Sequence, residues 1–440
     1  MTLHTRKPGY WTTLSLLAFA AAACAQSSGQ PFRTSENNRY LVDAAGSPLL
    51  LQGDAGWSII ANLTKEDAEA YLENRRAKGF NAILVNLIEH KFCKNPPKNL
   101  YGEAPFPDMK DWSVRNEKYF DHADWVIRKA AEKGLMALLA PVYLGYKGTD
   151  EGFIEELLAT GPERALDYGR YLGRRYAGFD NILWVMGGDR DPGPAREDVD
   201  MIALGIREYD KRHLFTAHCH PESAPSEQYP GPWLSIGNTY TYQIVHQRLL
   251  EDYNRKPVMP FFLIESSYEG EHNSSEVQIR RQAYWAILCG GFGHVMGNRP
   301  IWLFDPGWRA AMDAPGSVGM MHWGRLFRSR KWFELVPDTD HKVVTEGLGE
   351  FQGLDYLAAA RAPDGGTIIA YMPSARTITV DLSKMPRGKA KVWWFDPRTG
   401  KATAAGAVDT GGPMQFTPAG PGDWVLVLDD ASKGLAAPGQ

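Results

Sequence analysis

Between residues 45 and 302 the chain alternates short, unbroken apolar runs with longer segments whose apolar residues recur every three to four positions. The runs are carried by SPLLLQGDAGW, NAILVNLIEH, LMALLAPVY, NILWVMGGDRD, LFTAHCH, LSIGNTYTY, VMPFFLIESSYEG and HVMGNRPIW. An unbroken run of four to six apolar residues marks a strand buried on both faces, as in a parallel sheet covered by helices. The periodic segments between them read as those helices. One starts at Thr64, with Asp67 in the capping-box position, and runs to Lys78 and Gly79. Others are EKYFDHADWVIRKAAEKG, Pro162 to Tyr176, REDVDMIALGIREYD, QIVHQRLLEDYNR and SSEVQIRRQAYWAILCGG. Only the fifth strand lacks a clear helix after it. Eight repeated βα units with right-handed crossovers predict an α/β fold, a (β/α)8 TIM barrel. A doubly wound sheet is the alternative, but GDAGW after the first strand does not supply the GxGxxG of a phosphate loop.

The texture changes near His341. YLAAARA, GTIIAYM, TITVDLS, KAKVWWFDP and GDWVLVLDD alternate over short spans and are separated by turns such as Pro-Asp-Gly-Gly. These predict a small antiparallel β-sandwich of about 90 residues packed on the barrel as an accessory module. The expected divisions are a signal peptide over 1–25, the barrel over 26–340, the sandwich over 341–430 and a disordered tail over 431–440.

Arg6 and Lys7 precede the mostly apolar segment Leu14 to Ala23, which is too short to span a bilayer and reads as a secretory signal. Ala23-Cys24-Ala25 fits a cleavage site, and Cys24 also fits the lipidated first residue of a lipoprotein. Either reading takes the mature chain out of the cytoplasm, to the periplasm, the outer membrane or the medium. The other cysteines, Cys93, Cys219 and Cys289, form no CxxC pair, and buried free thiols are expected. A net charge of −4 offers no basic footprint for nucleic acid. Fourteen tryptophans are many for 440 residues, and indole faces are platforms for sugars, which turns the reading towards carbohydrate.

In a barrel, residues at the carboxyl ends of the strands converge on one face. Here these are Asp54 and Trp57, Asn86 and His90, Tyr143, Asp189, His218 and His220, Asn238 and Tyr240, Glu265 with Glu269, and His294, Asn298 and Trp302 on strand eight. Asp189 follows Gly187-Gly188 after strand four, and Glu265 ends strand seven. Glycosidic cleavage needs one carboxylic acid to protonate the departing oxygen, and a second carboxylate to attack the sugar or activate water. Asp189 and Glu265 are the candidate pair, and the other strand-end residues, Glu269 among them, are expected to bind substrate. A hydrolytic zinc set of His218, His220, His294 and Asp54 is the competing arrangement, but no metal or other cofactor is expected. No GxSxG supports acyl transfer.

GDAGW, YFDHADWVIRKAAEKG, WVMGGD, IESSYEG and GFGHVMGNRPIW resemble the apiosidase-like catalytic domain of glycoside hydrolase family 140. KVWWFDPRTGKA resembles the small C-terminal domain, named for collagen binding, that often follows it. The resemblance covers about residues 35 to 430. It implies a TIM-barrel glycosidase with Asp189 as acid/base and Glu265 as nucleophile. It also implies an oligo- or polysaccharide partner, since the family releases apiose-linked units from rhamnogalacturonan II, a pectin. A non-catalytic carbohydrate- or matrix-binding protein on the same barrel is the alternative, and retention of both acids speaks for the enzyme.

Overall fold

A computed structural model describes Met1 and residues 29–440 except Thr149. The signal segment and Cys24 lie outside the described residues. Eight parallel strands form the first domain: β1 (Leu51–Ala55), β2 (Ala82–Asn86), β3 (Met136–Ala140), β4 (Ile182–Gly187), β5 (Phe215–His218), β6 (Gly237–Tyr240), β7 (Phe261–Glu265) and β8 (Gly293–Met296). Their order in the sheet is β5-β4-β3-β2-β1-β8-β7-β6. The ladder is open only between β5 and β6. There the Ser235 and Ile236 amides donate to the Phe215 carbonyl at 2.9 and 3.1 Å. The Asn238 amide group bonds Thr216 Oγ1 and the Ala217 carbonyl at 2.8 and 2.7 Å. Asn238 therefore closes the barrel and is not a substrate ligand.

The helices follow the predicted periodic segments: α1 (Lys65–Ala77), α2 (Glu117–Glu132), α3 (Pro162–Tyr176), α4 (Arg196–Tyr209), α5 (Val245–Asn254), α6 (Glu276–Leu288) and α7 (Pro315–Arg328). Thr64 Oγ1 accepts from the Asp67 amide at 3.2 Å, which is the predicted cap of α1. The pair α3 and α4, flanking β4, meets backbone to backbone. A Cβ added at Gly169 or Gly205 would strike the carbonyl of Ile202 or Leu166 across the contact. Strand eight is shorter than expected. It ends at Met296, and the chain turns into a helix over Arg299–Leu303 that carries Trp302 to the barrel mouth.

The second domain is a β-sandwich. Its strands are β9 (Val336–Pro337), β10 (Val344–Glu346), β11 (Ala358–Arg361), β12 (Thr367–Met372), β13 (Ile378–Asp381), β14 (Lys389–Asp396), β15 (Lys401–Asp409), β16 (Pro413–Phe416) and β17 (Trp424–Asp430). One sheet has the order β9-β11-β12-β17-β14-β15, the other β10-β13-β16. Period-two alternation splits the six-stranded sheet between two cores. Val392, Trp394, Leu426 and Leu428 face the small sheet, while Trp393, Phe395, Val425 and Val427 join the core shared with the barrel. The domain thus starts at Val336, a few residues before the expected 341. The tail is not disordered. Ala431–Lys433 form a 3-10 turn, the Ala436 carbonyl accepts from Arg330 at 2.9 Å and the Gly439 amide donates to Ser329 at 3.0 Å. Cys93, Cys219 and Cys289 are buried free thiols.

Candidate active site

β4 runs wholly apolar through Ile182–Met186 and ends in two glycines, both with positive φ, at 81° and 141°. Only glycine fits here. A Cβ on Gly188 would overlap the Tyr143 ring, and one on Gly187 would press the His218 carbonyl. The tight turn is pinned by the Gly188 amide, which donates to the His218 carbonyl at 2.8 Å. It leaves Asp189 at φ 51°, a left-handed conformation that a non-glycine residue adopts at a cost. The Tyr143 hydroxyl donates to Asp189 Oδ2.

Glu265, the last residue of β7, faces Asp189 across the barrel mouth, and His218 from β5 stands between them. The imidazole is fully buried, with Nε2 3.0 Å from Glu265 Oε2 and Nδ1 3.3 Å from Asp189 Oδ1. One ligand atom from each of Asp189, His218 and Glu265 falls within 4.8 Å of the other two. The Tyr242 hydroxyl donates to the second Glu265 oxygen at 2.9 Å, and Tyr240 donates to Tyr242 at 3.3 Å. Burial raises the Glu265 pKa and the nearby Asp189 charge adds to it, while the His218 and Tyr242 contacts pull the other way. Burial alone would lower the His218 pKa. The Glu265 hydrogen bond and the two carboxylate charges outweigh it and leave the imidazole above its usual value.

Above the two acids opens a cleft of about 620 Å³, walled by Trp57, Phe92, Tyr143, Tyr240, Tyr268 and Trp302, with Asn86 also on its lining. The Trp57 indole N–H donates to the Tyr268 hydroxyl at 3.1 Å, and its ring sits edge-on to His218 at 5.5 Å. Trp57, Asn86, Tyr143, Asp189, Tyr240, Glu265 and Trp302 thus meet on one cleft, as the strand-end argument requires. His218 lies behind it, touching both acids.

Five expected substrate ligands lie elsewhere. Asp54 sits inside β1 and is fully buried against Arg75 at 2.8 Å and the Tyr71 hydroxyl at 2.6 Å, in the helix layer. His90 pairs with Glu156 at 3.1 Å, beyond the cleft wall, because β2 ends four residues earlier. Glu269 accepts the Gly316 amide at 2.8 Å at the start of α7, and Asn298 donates to its other oxygen at 3.0 Å, so both fasten α7 to the barrel. His294 is buried under the floor against the Leu263 carbonyl at 3.4 Å, and burial lowers its pKa to about 4. The competing zinc set is dispersed with them. A cation on Asp189, His218 and Glu265 would have to break the His218–Glu265 hydrogen bond. Sequence reasoning passed over Tyr242, Tyr268, Glu151 and Glu271, which also line the cleft. Tyr242 was signalled by Tyr240 two residues before it, on the same side of an extended chain.

Residues 35–334 match the family model "Apiosidase-like, catalytic domain". Residues 336–429 match the model described as "Putative collagen-binding domain of a collagenase". Among solved structures, one titled "Glycoside hydrolase" is 27% identical with a TM-score of 0.82, over 93% of this chain and 98% of its own. A glycoside hydrolase family 5 protein from Bacteroides vulgatus is 26% identical with a TM-score of 0.82, over 92% and 95%. No curated protein matches the chain. With its catalytic-domain match spanning most of the chain and the paired carboxylates at the strand ends, the chain belongs to the apiosidase-like family and is a glycoside hydrolase.

Proposed function

We propose that this enzyme cleaves a furanosidic, apiose-like linkage in plant cell-wall pectin, on rhamnogalacturonan II side chains or a related glycan, outside the cytoplasm and with retention of configuration. The observation that carries the mechanism is the pair of carboxylates within 4.8 Å, bridged by one imidazole. Retaining enzymes hold their carboxyl groups about 5–5.5 Å apart and inverting ones about 6.5–9.5 Å, to admit a water. Glu265 is fixed by His218 and Tyr242 and has a side chain 7% exposed, which suits a nucleophile that must meet the anomeric carbon in one position. Asp189, at 19%, is the more open of the two and suits the acid/base, which must reach the departing oxygen and then water. In the first step Glu265 bonds the anomeric carbon while Asp189 gives its proton to the leaving oxygen. In the second, Asp189 takes a proton from water as the water displaces Glu265.

Asp189→Ala should cripple cleavage of the natural glycoside and largely spare an aryl glycoside with a good leaving group, which needs no proton. External azide should restore part of that variant's turnover on the activated substrate. Glu265→Ala should lose both activities, because no glycosyl-enzyme forms. If Glu269→Ala is the dead variant and Glu265→Ala is active, the nucleophile assignment is wrong.

A further inference from the structure

The polar groups of the cleft are unevenly used. Its donors are spent within the protein. Tyr143 donates to Asp189, Tyr242 to Glu265, Tyr240 to Tyr242, Trp57 to Tyr268 and Trp302 to Glu271, the last at 2.8 Å. What faces the open volume is mostly acceptors. Four carboxylates line it, Glu151 and Glu271 besides Asp189 and Glu265, and no lysine or arginine does among the described residues. Arg299, near the rim, is held between Glu271 at 3.7 Å and Asp305 at 3.4 Å. His272 is the one basic side chain on the lining.

Asn86 supplies an independent observation. It is 2% exposed and lines the cleft, and its amide N–H donates to Glu89 at 3.1 Å. Its Oδ1 has no partner in the protein. A buried acceptor without a donor is costly, and a ligand hydroxyl would satisfy it. A sugar hydroxyl is both donor and acceptor, and its C–H faces suit the aromatic walls. A uronate carboxylate is an acceptor only and carries a charge of the same sign as the lining.

Building on the proposed glycosidase reading, we infer that the cleft selects uncharged, hydroxyl-bearing sugar residues and excludes uronates from the positions it encloses. Even with Asp189 holding its catalytic proton, three carboxylates remain to repel one. A like charge held about 6 Å away in a partly desolvated cleft is enough for at least tenfold discrimination. On a pectic substrate the acidic backbone would then stay outside, with a neutral side chain entering.

The test offers a pectic glycan before and after carbodiimide-borohydride reduction, which turns each galacturonate into galactose and leaves the linkages intact. The released sugar is identified and kcat/KM measured on both forms. Reduction is expected to raise kcat/KM at least tenfold, and the E151Q/E271Q variant to shrink that ratio towards one. Added salt should shrink it in the wild type as well. Equal rates on the two forms, or a ratio that E151Q/E271Q leaves unchanged, would overturn the inference. A released sugar other than apiose would instead correct the proposed linkage, with the ratio still readable.

Discussion

Removing His218 should displace the acid limb of the pH–rate profile, and the size of the displacement follows from the geometry. His218 is fully buried, with one ring nitrogen 3.0 Å from Glu265 and the other 3.3 Å from Asp189. His218→Phe keeps a ring of similar shape against Trp57 and Tyr240, 5.5 and 4.6 Å away, and removes both polar contacts. Two carboxylates about 4.8 Å apart repel by roughly 3 to 4 kcal/mol at an effective dielectric of about 20, with nothing between them. The lost charge-assisted hydrogen bond alone is worth about 1.5–3 kcal/mol. At 1.36 kcal/mol per unit, that carries the Glu265 pKa up by about one to two units beyond its already raised value. The nucleophile would then ionise only at higher pH, so the acid limb of kcat/KM on an aryl furanoside should move up by about one to two units. The maximum should fall by about ten- to a hundredfold. A variant with lowered activity but an unmoved acid limb would show that His218 only packs the floor and does not set the charge of the pair.

Two further predictions concern stability. Burial pushes the Glu89 pKa from 4.5 up to about 8, so this acid is neutral in the folded protein at pH 7 and charged in the unfolded chain. Its contribution is therefore complete below about pH 4.5 and lost as pH rises through about 8, which amounts to about 3 kcal/mol forgone at pH 7. Glu89→Gln, which can still accept from Asn86, should unfold at higher denaturant than the wild type at pH 7 and flatten the pH dependence. Parallel curves for the two proteins would contradict this. Asp429→Ala strands Arg330, which bonds it at 3.0 and 2.7 Å with both side chains 2% exposed, and should cost about 3–5 kcal/mol. The paired change Arg330→Met/Asp429→Leu should cost far less in the same denaturation assay, and equal losses would mean that packing and not the stranded charge sets the penalty.

The barrel was legible because each strand is an unbroken apolar run and each helix a periodic one, so order and class followed from period alone. Asp189 and Glu265 were legible for the same reason: a polar residue ending such a run must leave the core at the strand's carboxyl end. The failures share a cause. Asp54 is flanked by Gly53 and Ala55, so the local pattern does not say that it lies within the strand and turns to Arg75 on α1. Glu269 is spent on a helix start 47 residues further along the chain, and no local pattern reports such a partner. Strand eight was read too long because Asn298 to Trp302 is as apolar as a strand, whereas Pro300 in the first turn favours the helix that forms. Sequence period locates a backbone well, but a buried carboxylate is assigned by what lies opposite it.

The sandwich bears on the site through α6, which follows the Glu265 strand and is covered by it. One side of α6 rests on β7 and β8, and the other meets β11 and β12 of the second domain. Tyr284 of α6 stacks on Tyr371 of β12 with ring centres 4.5 Å apart. Arg280, one turn earlier, forms a two-point ion pair with Asp423 at 2.7 and 3.0 Å. Buried apolar side chains of both domains belong to one continuous core. A module joined to the barrel only by a linker would be free to seek a separate ligand with the sheet that here is buried on both faces. This one takes the place that solvent holds on the outer side of an ordinary barrel helix, and so backs the strand that ends in Glu265. Its physical contribution is to the rigidity of that strand, since a nucleophile displaced by about 1 Å can cost about a hundredfold in rate.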